Sequence, residues 1–116
     1  MSRAERDALR ALVEEGNDEA ANRLAELSAE DGDVDTLKYL IDSGNKKAGD
    51  LLAALAAGTQ DVTTLKYLID SGNEAAADRL AEIAAERGDV HTLQRLVDEG
   101  SETAETLLSR VIRDSE

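Results

Sequence analysis

The chain has 116 residues, no cysteine, proline, tryptophan or phenylalanine, and a formal net charge of −13. Without cysteine there is no disulfide framework and no thiolate metal site, and no apolar run approaches the roughly 20 residues of a membrane span or the layout of a signal peptide. An acidic surface repels phosphate backbones and anionic headgroups, so neither nucleic acid nor a membrane is expected as a partner, and the reading is of one soluble, cytoplasmically expressed domain over residues 1–116.

The segment Asp33 to Asn45 returns almost unchanged as Asp61 to Asn73, and more loosely at Asp89 to Ser101 and Glu5 to Asn17. The period is 28 residues, and the units are 5–32, 33–60, 61–88 and 89–116. A fixed short period means a stacked array, in which each unit buries its apolar face only against its neighbours.

In unit 1, Asn17 stands as an N-cap before Leu24 and Leu27, and Gly32 closes the helix. In unit 2, the run Asp33 to Gly44 forms a first helix and residues 46–58 a second. Unit 3 gives the pattern most cleanly. Val62, Leu65, Leu68 and Ile69 share one side of a helix over about 62–71, with Asp61 as its N-cap and Gly72 at its end. Asn73 then caps a second helix whose inner side is Ala76, Ala77, Leu80, Ile83 and Ala84, and Gly88 closes it. Unit 4 follows with Asp89 as cap. Short turns force sequence neighbours to pack side by side. The expected fold is therefore all-α: an αα-solenoid of four 28-residue helix-turn-helix repeats, eight antiparallel helices and no strand.

The terminal units depart from the pattern. Arg6 stands where Val34, Val62 and Val90 stand, Ala11 where Tyr39 and Tyr67 stand, and Arg95 also takes the tyrosine position. Polar outer faces at the ends keep an array soluble and stop its growth, and these residues are expected to supply them. Tyr39 and Tyr67 are expected to pack between repeats.

The stretch from Ala81-Glu82-Ile83-Ala84-Ala85 through Gly88-Asp89-Val90-His91-Thr92-Leu93 to Gly100 resembles the two helices of an ankyrin repeat. The Ala-Ala pair, the helix-ending glycine, the leucine-rich second helix and its closing glycine fall in ankyrin-like order, over about two-thirds of each unit. The period departs from the ankyrin value of about 33, the Thr-Pro-Leu-His opening is missing, and Asn73 leaves no room for the projecting hairpin. The resemblance implies an ankyrin-like, hairpin-free array. The near-identity of units 2 and 3, and a core restricted to Leu, Ile, Val and Ala, point to a designed protein.

One helix breaks the repeat. Outward positions carry Arg23, Glu26 and Glu30 in unit 1, and Arg79, Glu82 and Glu86 in unit 3, but Leu51, Ala54 and Gly58 in unit 2. These lie at i, i+3 and i+7, a single stripe. Helix 46–58 already has an inner face in Ala48, Leu52, Leu55 and Ala56, so it is apolar nearly all round, with Asp50 the main exception. A helix apolar on all sides is buried on all sides. The expected cover is a second copy of the chain, the alternatives being neighbouring helices that curl over this face or a merely alanine-rich helix; the candidate interface is Leu51, Ala54, Leu55, Ala57 and Gly58, with Leu107, the unit 4 equivalent of Leu51, at its rim or in the end cap. A two-fold dimer is the first expectation, and a ring of three or four uses the same patch against a different one. Lys46 and Lys47 replace mostly acidic residues and either meet acidic groups across an interface or stand in solvent.

The alternative reading is a monomeric, ankyrin-like scaffold that holds a partner protein. No enzyme is expected. The single histidine, His91, has no nucleophile or ligand partners and is expected to be exposed. Asp31, Asp33 and Asp35 superficially match a calcium loop, but Thr36 stands where its glycine belongs, and they serve better as helix stop and cap. No phosphate loop or Ser-His-Asp set is present, and no cofactor is expected.

Overall fold

The computed structural model describes residues 2–115. Among them are eight helices and no strand: α1 (Arg3–Glu14), α2 (Asp18–Asp31), α3 (Val34–Asp42), α4 (Lys46–Thr59), α5 (Val62–Asp70), α6 (Glu74–Arg87), α7 (Val90–Asp98) and α8 (Glu102–Asp114). The helical repeat array read from the sequence is thus the architecture of the chain. None of these helices is long and apolar enough to cross a membrane.

Each helix starts on a side chain that satisfies its own first turn. Asp33, Asp61 and Asp89 each accept the backbone N–H three residues on, and their second oxygen accepts the hydroxyl of Thr36, Thr64 or Thr92 at 2.6–2.7 Å. Asn17, Asn45, Asn73 and Ser101 do the same for the second helices. Such caps satisfy donors that the helix leaves without a partner. Helix α1 differs from its equivalents: its cap is Ser2, so it begins a turn before the repeat does and has 12 residues against nine in α3, α5 and α7.

The second helices also end alike. Backbone N–H groups of Asp33, Asp61 and Asp89 reach back to the carbonyls of Ser28, Ala56 and Ala84, each at 2.8 Å. That bond needs a left-handed residue just before it. Gly32 (φ 69°) and Gly88 (φ 67°) supply it in units 1 and 3, but in unit 2 the residue is Gln60 at φ 54°.

The chain divides into two compact bodies, residues 1–55 and 56–116. In the first, α2 packs on both α1 and α3, and the core is Leu24, Ala25, Leu37, Leu40, Ala48 and Leu52. In the second, α6 packs on α5, α7 and α8, around Leu65, Leu68, Ala76, Leu80, Leu93 and Leu96. Leucine at each core step, with alanine where helices approach closely, is the sequence pattern made solid.

The first body also carries a polar seam. The Arg6 guanidinium lies 3.0 Å from Asp33 and 3.9 Å from Asp31. Arg10 sits over the Tyr39 ring, 4.3 Å from its centre, and Asn45 donates to Asn22 at 2.9 Å. Arg6 therefore does not form a polar outer end, as its position in the repeat suggested. It turns inward, toward the cap of α3.

Candidate functional site

Helix α4 places its residues on one cylinder, and burial sorts them by angle. Ala48, Leu52, Ala53 and Ala56 are buried. Leu51, Leu55 and Ala57 are half-buried, and Ala54 and Gly58 are exposed. Leu51, Ala54 and Gly58 run in one line along the helix and form its outward stripe, with Lys47 one turn before it. At the matching positions α6 exposes Arg79, Glu82 and Glu86, and α2 exposes Arg23 and Glu30 with Glu26 half-buried. The comparison the sequence suggested therefore holds in space: one second helix turns an uncharged stripe outward where two others turn charges.

The bare strip is narrower than the sequence pattern implied. The chain itself half-covers Leu51, Leu55 and Ala57, so the stretch left to solvent centres on Ala54 and Gly58. Leu107 is half-buried on α8, beside Leu108 and Val111, which are also half-buried. Lys47 at the head of the stripe pairs with Glu26 on α2. That ammonium donates to the Glu26 carboxylate and holds it below the usual carboxylate range. Of the two lysines, Lys47 is therefore engaged within the chain, while Lys46 is exposed.

Other polar groups serve the fold. Burial pushes the Asp33 carboxyl up, but hydrogen bonds from Thr36 and the charges of Arg6 and Arg10 hold it below its ordinary value. Asp89 is lowered by the same pair of bonds from Thr92. Asp33 is thus occupied as a cap, and His91 is exposed. Among the described residues no group of three or more acidic or histidine side chains is arranged to hold a metal ion. Open grooves lie at the helix turns. One of about 480 Å³ has Ile69, Ala77 and Leu96 with a rim of Glu74, Asp78 and Glu99. Its counterpart in the first body, about 370 Å³, is edged instead by Lys46, Lys47 and Asp18.

Large apolar side chains most open to solvent lie elsewhere: Leu12 (40%) on α1, Ile112 (49%) on α8 and Val90 (38%) at the start of α7. The sequence reading passed over the first two. The available signal was that Ile112 stands where Ser28, Ala56 and Ala84 stand, and Ala8 where Thr36, Thr64 and Thr92 stand.

No protein-family model matches the chain, and no curated protein and no solved structure matches it either.

Proposed function

We propose that the chain is a designed, ankyrin-like structural array without catalytic chemistry, and that it assembles with copies of itself through the outward stripe of α4. A closed two-fold dimer is the simplest form, because a self-complementary patch closes on itself. One observation carries the reading: Ala54 and Gly58 are bare and Leu51 half-bare, where the equivalent helices expose arginine and glutamate. Solubility alone calls for charges at such positions, as α2 and α6 have. Small side chains let two helix backbones approach closely, and each leucine flank removed from water adds to the contact.

Burying the remainder of a half-covered leucine is worth about 1 kcal/mol, part of the 1.5–3 kcal/mol for full burial. The stripe alone therefore supports a modest affinity. Light scattering after size exclusion tests the proposal. The parent should run as a multimer at micromolar concentration, and Ala54→Arg should reduce it to single chains with unchanged helicity. A parent that stays monomeric, or an Ala54→Arg variant of unchanged mass, refutes it.

A further inference from the structure

We propose a second self-contact, independent of α4: helix α8 of one copy stacks on α1 of the next, continuing the array end to end. The ground is the repeat register itself. Inside the chain, the second helix of one unit packs on the first helix of the next, α2 on α3 and α6 on α7. That packing removes Leu40 (0%) and Leu96 (3%) from water. Their equivalent in unit 1 is Leu12, which is 40% exposed. Around it Ala4, Ala8 and Ala11 are all exposed. With Leu12 they fall at i, i+4, i+7 and i+8, one apolar strip bordered by the exposed Asp7 and Glu15. The inward turn of Arg6 to Asp33 and of Arg10 to Tyr39 takes the guanidinium groups off that face. The extra turn capped by Ser2 lengthens it by Ala4.

The other end matches. Ile112 on α8 is 49% exposed, where its equivalents Ser28 and Ala84 are 0% and 2%. At the inner junctions a small residue on the second helix stands eight positions before a threonine on the first: Ser28 before Thr36, Ala84 before Thr92. At the two ends the bulk changes sides, with isoleucine on α8 and Ala8 on α1. The combined size of the two side chains changes little, so an α1 that carries Ala8 leaves more room for Ile112 than a helix with threonine there. The occupant that fits this face is therefore another copy of the chain. Glu105, exposed on the same side of α8, keeps the contact weak.

A contact between two different surfaces does not close on itself and yields open chains of growing length. This separates it from the α4 pairing, which gives one closed species. The test uses Ala54→Arg as background, since Ala54 is exposed and the change leaves the core intact. Sedimentation of that variant at high micromolar concentration should show average mass rising with concentration. Adding Leu12→Glu, or adding Ile112→Arg, should each give single chains. An equal mixture of those two should give two-chain particles and nothing larger, because each retains one intact end. Circular dichroism confirms that all are folded. If the Ala54→Arg protein is monomeric throughout, or if either end variant alone still associates, or if the mixture stays monomeric, the end-to-end contact is wrong. The α4 proposal is decided separately, by comparing the parent with Ala54→Arg at low micromolar concentration, where the weaker end contact is not populated.

Discussion

Replacing Gln60 isolates a backbone strain that the repeat itself exposes. Gln60 holds φ 54° at a position where the two equivalent second helices use glycine. A left-handed conformation costs an L-residue about 1–2 kcal/mol. Glycine avoids that but loses more freedom on folding, about 0.5–1 kcal/mol. The side chain also accepts a hydrogen bond from Arg87 at 2.8 Å, which is exposed and worth about 0.5 kcal/mol. Gln60→Ala loses that bond and keeps the strain, whereas Gln60→Gly loses both. The glycine variant should therefore exceed the alanine variant by about 0.5–1 kcal/mol. With an unfolding entropy of about 2.1 cal/mol/K per residue over 116 residues, that separates their melting midpoints by about 2–4 °C. Thermal circular dichroism at one fixed protein concentration reads it, since assembly raises apparent stability. An alanine variant as stable as the glycine variant refutes the assignment of strain to this residue.

Further expectations concern single groups. Gly58 is helical and a methyl added there meets nothing within 4 Å, so Gly58→Ala should stabilise the chain by about 0.5–1 kcal/mol in the Ala54→Arg background. The Ser28 hydroxyl is fully buried without a hydrogen-bond partner among the described residues, and Ala56 and Ala84 occupy the matching places. Ser28→Ala should therefore raise stability by about 1 kcal/mol in a urea titration, and a loss would mean that the hydroxyl is satisfied. Folding holds the carboxyls of Asp33 and Asp89 below their ordinary 3.8, so the stability they contribute is complete above that value. It drains as pH falls through their lower folded values. Asp33→Asn keeps an acceptor for the cap but not the charge, and should flatten the acid unfolding curve below about pH 4, with an unchanged curve as the contrary result. Because each copy carries −13, raising salt should strengthen both self-contacts, and dissociation by salt would point to ion pairs instead.

The array was legible because its signals are local. A period, a capping side chain before most helices and a glycine after most of them lie within a few residues of the turn they make; the helices read as about 62–71 and 46–58 follow within a residue, while α1 starts a turn early. The rotation of side chains around each helix depends on neighbours far along the chain, and there the reading was less complete. Arg6 and Ala11 read as a polar end, yet Arg6 faces Asp33, and Ala4, Ala8, Ala11 and Leu12 of α1 are exposed beside Asp7. Ser2 as a cap was invisible because it lies outside the repeat. Gln60 went unremarked because a left-handed residue that is not glycine leaves no compositional trace. On α4 the uncharged stripe was found by comparing units, but only coordinates show that Leu51 and Ala57 are partly sheltered by their own chain.

The caps have one more implication. Each cap bond joins residues three apart, so the N–H groups that open these helices are satisfied by side chains beside them in the sequence. A chain articulated in this way can be cut or extended at its corners by whole periods without orphaning a peptide group. Its length is then a free variable, fixed by the gene and not by the geometry of folding.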